Sequence, residues 1–475
     1  MSRVAALLIV TAVWAAIYLP ALGSFEIKGE EGRRILPAVA MLESGNYIVP
    51  RVGSAAYFRK PPLINWLVAA SFKVFGQRNE WTARLPSALC VLGVAVAFVT
   101  VARASLRPAG SVLAALIWMT NFGIIEKGRL IEIEALYVSL CGLAIIFWLS
   151  FWEQNKSPWL IWIPASIFLG LGLLAKGPAH LLFFYAIVLA VVWRAKDARI
   201  LFHPAHLVGI ALMLGIFAAW AVPFAQSTTV KVAMFKWSRQ FSGRLSGEDF
   251  KFSSWILNIP RSLIYFFPWL LALPLLRFER FRDDKQRRLA RALAWGVGVP
   301  LLIVDLVPGA LARYTMPVLA PLSWLWASSY TGAAFVQPRW IAANGEKFWR
   351  TMVVAFVGLG LAIGMIGYPL AATFLKDRQR VKNVAAKINA IVPPTETLYA
   401  VDPNYQPLLF YVRAPLEYVS SVPELPDHTH YFLVQSENEA EAAASKKWVP
   451  RQTHLLLRVS GYGQREIILF AVGPT

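Results

Sequence analysis

Charge is scarce in this chain. Asp, Glu, Lys and Arg make up 16% of its 475 residues, where a soluble domain carries about a quarter. With 57% hydrophobic residues, 19 Trp and 29 Phe, the chain holds too many apolar runs for one aqueous core. Cysteine is nearly absent: Cys90 and Cys141 both lie inside apolar runs, which excludes a disulfide framework and a cysteine-rich metal site. The six histidines are scattered. His203 and His206 stand beside a basic loop, and His428 and His430 in a Pro-rich one, so no resident metal is expected from them. Acids are scarcer than bases, 27 against 47, for a net charge of +20. The bases cluster between apolar runs, which fits cytoplasmic loops and anionic lipid headgroups and not nucleic acid.

What the chain has in abundance is apolar runs long enough to cross a bilayer. They fall near 4–22, 87–103, 109–125, 133–152, 159–175, 178–194, 206–225, 261–276, 292–308, 313–331 and 352–374. The expected fold class is therefore an all-α polytopic membrane protein with about 11–13 transmembrane helices, counting short broken helices that hydropathy overlooks. The first run is longer than a signal-peptide core and has no small-residue cleavage site, so it reads as a retained span. With the N-terminus in the cytoplasm, Arg103 and Arg107, Arg194 to Arg199 and Arg277 to Arg291 all fall on the cytoplasmic face, as the positive-inside rule requires. The segments 23–86 and 226–260 and the tail 376–475 then lie outside, which divides the chain into a membrane domain (1–375) and a soluble domain (376–475).

The first outer segment is patterned. Ile35-Leu36, Val39-Ala40 and Met41-Leu42 give a helix with one apolar face along the membrane surface. Ser44-Gly45-Asn46 ends it, Tyr47 to Pro50 is extended, and Pro61-Pro62 opens a second helix from Leu63 to Phe75. In the tail, a helix over Lys376–Ile391 precedes a strand at Thr397–Val401 and a short helix over Gln406–Val412. Strands then follow at His430–Val434, His454–Val459 and Glu466–Val472, with a helix over Glu437–Lys447. That alternation suggests a small α/β domain.

Against so little charge, the charged residues outside the cytoplasm stand out. Glu30 and Glu31 follow the first span, and either carboxylate can serve an acceptor hydroxyl as base or hold a cation. Arg33 and Arg34 come next, able to touch a phosphate. Arg59 and Lys60 precede two prolines that fix their direction. Arg129 with Glu132 and Glu134, Lys176 in Lys176-Gly177-Pro178, and Arg313-Tyr314 recur at the same membrane level. Ionisable groups there pair or line a cavity, so a shared polar cavity is expected, with Lys236, Arg239 and Arg244 as candidate additions.

The order Glu30-Glu31-Gly32-Arg33, Met41 to Pro50, then Tyr57-Phe58-Arg59-Lys60-Pro61-Pro62-Leu63 resembles the bacterial aminoarabinose transferase (ArnT-like) family, relatives of the protein O-mannosyltransferases. Ala83-Arg84-Leu85-Pro86-Ser87, Gly128-Arg129 with Glu134, Lys176-Gly177-Pro178 and Arg313-Tyr314-Thr315-Met316-Pro317 continue it. The resemblance implies a GT-C fold with amphipathic periplasmic helices and a C-terminal periplasmic domain. It implies transfer of a sugar, with inversion, from a polyprenyl (undecaprenyl) phosphate donor to a lipid or glycan acceptor at the bacterial inner membrane, by a monomer.

By that resemblance Glu30 fills the place of a catalytic Asp and Glu134 a second acidic place. Arg33 and Lys60 fill places that bind the donor phosphate, and Lys176, Arg313 and Tyr314 match positions that line the donor cavity, Lys176 and Arg313 as further phosphate contacts. As a basic residue beside Lys60, Arg59 is expected at the same phosphate, and Glu31, Tyr57, Arg84 and Arg129 are expected with Tyr314 in the substrate cavity. Two departures bear on metal. Arg59 stands where an acid is usual, and the second outer loop has no His. A divalent ion bound as in some relatives is not expected.

Other readings are a protein O-glycosyltransferase of the same fold, a flippase for a lipid-linked sugar, and a scaffold displaying the tail. A flippase requires charge along the cytoplasmic half of its spans, where little is visible. A scaffold leaves the first outer loop unexplained.

Overall fold

A computed structural model describes residues 1–475 apart from 54, 58–59, 228–234, 236–237, 239–241, 244–249, 251, 339–344, 446, 449–451, 462–464 and 474–475. The chain divides into two compact units. The first comprises Met1–Pro20, Arg59–Leu63 and Leu85–Leu370, and the second Ala21–Phe58, Ile64–Arg84 and Ala371–Thr475. The outer segment after the first span thus groups with the tail.

The first unit is helical and membrane-spanning. Among the described residues six helices are long and apolar enough to cross a bilayer: Glu80–Thr100, Ile133–Glu153, Pro158–Ala175, Pro204–Ser227, Asp284–Leu306 and Gly345–Phe374. Arg3–Tyr18 and Ala179–Ala195 are shorter apolar helices. The helix Pro158–Ala175 packs on Ile133–Glu153 and on Pro204–Ser227, and Ala179–Ala195 packs on Asp284–Leu306. Close approach in lipid depends on small residues. A Cβ on Gly296 would stand 2.7 Å from the backbone of Ile187, so glycine lets that last pair meet. Buried Trp118, Trp148, Trp162, Trp269, Trp324 and Trp326 fill the core.

The span expected over 261–276 is not one helix. A short helix, Asn258–Ile264, is followed by a 3-10 segment, Trp269–Leu275. Pro260, Pro268 and Pro274 each remove a backbone donor and crowd the preceding turn. The tenth expected span likewise begins as a 3-10 segment, Ala312–Val318, before the helix Leu319–Thr331.

In the second unit, the helix Gly32–Ser44 ends where expected. Gly45 takes φ 69° and its N–H reaches the Met41 carbonyl, the left-handed cap that glycine permits. The Asn46 side chain then accepts from the N–H groups of Ile48 and Val49 at 3.1 Å, turning the chain back. A two-residue hairpin, β1 (Arg51–Val52) with β2 (Ala55–Ala56), precedes the helix Leu63–Phe75.

The tail forms a five-stranded sheet in the order β4-β3-β5-β7-β6. The strands are β3 (Leu398–Val401), β4 (Leu416–Val419), β5 (Tyr431–Gln435), β6 (Gln452–Ser460) and β7 (Glu466–Gly473). β3 runs parallel to both β4 and β5, while β7 is antiparallel to β5 and β6. β3 is buried at all four residues, the pattern of a central strand covered on both faces. β4, wedged between Pro415 and Pro423, is too short for its alternation to signal a strand. The helix expected from Lys376 begins at Arg380 and runs to Ile391.

Candidate functional site

The second unit holds the acidic pair. Glu30 and Glu31 lie in a 3-10 turn, Gly29–Glu31, that enters the helix Gly32–Ser44. The turn points the two carboxylates in different directions. Glu31 is 2% exposed and faces Arg84, also 2% exposed, at 2.8 Å. Arg84 donates in addition to the carbonyls of Leu22, Phe25 and Glu26. Glu31 and Arg84, expected to line the substrate cavity, therefore bind each other in the interior and staple the loop. A buried pair with every donor used is the arrangement in which ionised groups survive desolvation.

Glu30 remains 32% exposed. One nitrogen of Arg33, a helical turn away, contacts both of its oxygens at 2.7 and 2.9 Å. Arg34 stands 4.0 Å from the same carboxylate and donates to the Tyr57 hydroxyl at 2.8 Å. Its carbonyl accepts from buried Asn65 at 2.7 Å, which ties the two outer helices together. Farther along, Glu26 accepts from the N–H groups of Val381 and Lys382 at 3.0 and 3.1 Å. Those are orphan donors at the start of a helix, where a carboxylate is favoured. Glu80 pairs with Lys382 and accepts from the Tyr411 hydroxyl at 3.0 Å. Burial pushes the Tyr411 hydroxyl well above the usual phenol range, so it stays a donor. Neither Glu26 nor Tyr411 was singled out from the sequence: their partners lie more than 300 residues away, and no local pattern marks them.

The membrane unit holds a second cluster. Glu134, in the first turn of Ile133–Glu153, stands 3.1 Å from the Lys176 ammonium and 3.4 Å from Arg313. Lys176 terminates the helix Pro158–Ala175, and Gly177 after it takes φ 102°. The Lys176 ammonium also lies 4.7 Å from the Tyr314 ring and 5.3 Å from that of Tyr137. The break at Lys176-Gly177-Pro178 and the 3-10 turn at Arg313-Tyr314 thus bring two cations and two rings to one carboxylate. Lys127 pairs with Glu132 at 3.0 Å and Glu126 at 2.9 Å. Burial pushes the Glu132 carboxyl up, and Lys127 draws it back. For Lys127, burial opposes the charge, but the two carboxylates outweigh it and raise the ammonium pKa.

Arg129 is the remaining residue expected to line the substrate cavity. It is 3% exposed, donates to the Ile17 and Pro20 carbonyls, and stacks 3.8 Å from the Tyr368 ring. Its guanidinium ties the end of the first helix to the last one. Lys60 is partly exposed at the turn before Leu63. Arg59, Lys236, Arg239 and Arg244 lie outside the described residues. Among the described residues no three His, Cys, Asp or Glu side chains gather as a metal site.

Residues 59–222 match the dolichyl-phosphate-mannose-protein mannosyltransferase family. The crystal structure of ArnT from Cupriavidus metallidurans bound to undecaprenyl phosphate superimposes with a TM-score of 0.74 at 17% identity, covering 98% of this chain and 97% of that one. The chain has an ArnT-like GT-C fold. Among similar sequences, undecaprenyl phosphate-alpha-4-amino-4-deoxy-L-arabinose arabinosyl transferase 2 of Pseudomonas fluorescens (strain Pf0-1) is 25% identical over 76% of this chain and 66% of its own length. The namesake from Proteus mirabilis (strain HI4320) is 28% identical over 60% of this chain and 52% of its own. The match thus spans between half and two thirds of these relatives. It is the ArnT-like fold that this chain shares along its length, with the helical membrane unit and the small C-terminal sheet expected of it.

Proposed function

We propose that the chain is an integral-membrane glycosyltransferase that moves a sugar from an undecaprenyl phosphate donor to a lipid or glycan acceptor, such as lipid A or lipopolysaccharide core, with inversion. The observation that carries this reading is the contrast within the acidic pair: Glu31 is sealed into the fold, while Glu30 stays partly exposed with both oxygens on Arg33. A partly exposed carboxylate held in one direction by an arginine is suited to work on a substrate. When an acceptor hydroxyl attacks the anomeric carbon, the carbon–oxygen bond to the donor phosphate breaks, and the hydroxyl proton passes to Glu30. In the membrane unit Lys176 and Arg313 are assigned to the donor phosphate, whose departure preorganised cations favour. Glu134 holds those cations in place, and Tyr137 and Tyr314 flank Lys176. Lys60 and Arg59 have the chemistry for the same anion. No step requires a metal. A protein acceptor is the second reading, favoured by the family matched over 59–222.

The test is mass spectrometry of lipid A, core glycan and envelope proteins from cells with and without the protein. One sugar increment is expected to disappear from lipid A or glycan. Its loss from proteins alone would establish the second reading, and three unchanged profiles would contradict both.

We place the chain in the bacterial inner membrane with the Glu30 segment and the tail in the periplasm, since the basic loops mark the other face. A reporter active only in the periplasm, fused after Thr475, is expected to give signal. Signal from a cytoplasm-only reporter alone would reverse the orientation.

A further inference from the structure

We infer that Tyr405, in the C-terminal sheet domain, is a positioning residue for transfer: its ring fixes Arg33, and Arg33 fixes the Glu30 carboxylate. The inference rests on the reading of Glu30 as the working carboxylate, and it gives the C-terminal domain a part in the chemistry.

Tyr405 lies in the loop Asp402–Gln406, which leaves the carboxyl end of β3. The carboxyl ends of parallel strands are where open α/β sheets present their functional loops. This loop is built to hold one shape. Asp402 and Asn404 adopt φ 38° and 56°, a left-handed backbone that Asp and Asn tolerate better than other non-glycine residues because their short polar side chains bond locally. The Gln435 side chain, 3% exposed, donates to the Asp402 carbonyl and accepts from Arg465 at 2.9 Å. The Asn404 side chain accepts from the Tyr405 N–H at 3.1 Å.

The loop meets the helix Gly32–Ser44 at its first residue. A Cβ on Gly32 would stand 2.6 Å from the Tyr405 carbonyl oxygen, so only glycine allows this approach. One residue later, the Arg33 guanidinium carbon lies 3.7 Å from the centre of the Tyr405 ring. A guanidinium stacked by its face keeps its N–H groups free in the plane, here for Glu30. The ring therefore restrains a long, flexible side chain without competing for its hydrogen bonds. Lysine has no planar face to stack, so Arg33→Lys is not a conservative change here.

The experiment measures donor turnover by the purified full chain for Tyr405→Leu, which keeps bulk without a π face, and Tyr405→Phe, which keeps the ring. Both are also made in an Arg33→Ala background. Tyr405→Leu is expected to lower kcat about tenfold, between the scales of an exposed and a desolvated cation–π contact, with little change in the donor KM. Tyr405→Phe is expected to restore turnover. In the Arg33→Ala background neither change is expected to matter further, because the residue it acts through is gone. A Tyr405→Leu loss that is equally large in the Arg33→Ala background would show a merely structural role and overturn the inference. So would undiminished turnover in Tyr405→Leu while Arg33→Ala and Glu30→Gln are impaired. Full turnover in Arg33→Ala and Glu30→Gln would instead overturn the reading of Glu30, and this inference with it.

Discussion

Exchanging Glu30 for glutamine is expected to lower donor turnover about 10²–10³-fold, the effect of removing one preorganised charged group from a transition state. The substitution keeps the size and shape of the side chain and removes its charge and its capacity to take a proton. Arg33 remains 15% exposed, close enough to water for its charge to stay solvated, so the fold is expected to persist. Release of undecaprenyl phosphate from its sugar-linked form, by protein that purifies and melts like the wild type, provides the readout. Glu30→Asp is expected to keep part of the rate: the acid is retained, and its reach falls by one methylene. Wild-type release from Glu30→Gln would show that another acid, Glu134 first among them, does this work.

Glu31→Gln is expected to act by a different route, through stability. The Glu31–Arg84 pair is sealed from water on both sides, and removing one partner strands a buried charge at a cost of about 3–5 kcal/mol. The whole turn that leads into Glu30 hangs on it, since Arg84 also holds three carbonyls of the preceding segment. Thermal unfolding in detergent is expected to begin at a lower temperature for Glu31→Gln and for Arg84→Met. The double variant is expected to lose less than the sum of the two, because no lone charge remains. It is not expected to regain wild-type stability, for the carbonyls of Leu22, Phe25 and Glu26 have lost their donor. A Glu31→Gln protein that melts normally yet transfers no sugar would give Glu31 a chemical role.

These two carboxylates show how far the sequence carries the account. Their adjacency, with the bases and prolines that follow, marks the segment as a candidate site. The family resemblance puts Glu30 in the catalytic place and Glu31 in the substrate cavity, but that Glu31 is buried was not settled by its neighbours in sequence. The 3-10 turn at Gly29–Glu31 separates their directions, and Arg84, 53 residues later, decides which one the interior takes. The apolar runs predicted the membrane helices well because composition and length are all that a bilayer demands. They failed over 261–276, where Pro268 and Pro274, with Pro260 just before, gave a signal that hydropathy averages away. In the tail, strands that read as continuous apolar runs, β3, β5 and β7, were legible, and β4, four residues between prolines, was not. Tyr405 was invisible for a further reason. Its partners, Gly32 and Arg33, belong to the outer segment, and nothing local in Asp402–Gln406 distinguishes an aromatic that stacks on a distant arginine from one at an ordinary turn.

Donor chemistry is reached most directly by one measurement. The purified full-length chain, in lipid or detergent, is given an undecaprenyl phosphate-linked aminoarabinose or hexose together with an envelope lipid extract, and free undecaprenyl phosphate is quantified over time. Release that depends on the extract, together with a product heavier by one sugar, and that is nearly absent from Glu30→Gln, is the expected result. Failure to consume any undecaprenyl phosphate-linked sugar, with well-folded protein and every acceptor fraction supplied, would contradict the assignment as a polyprenyl-phosphate-dependent transferase.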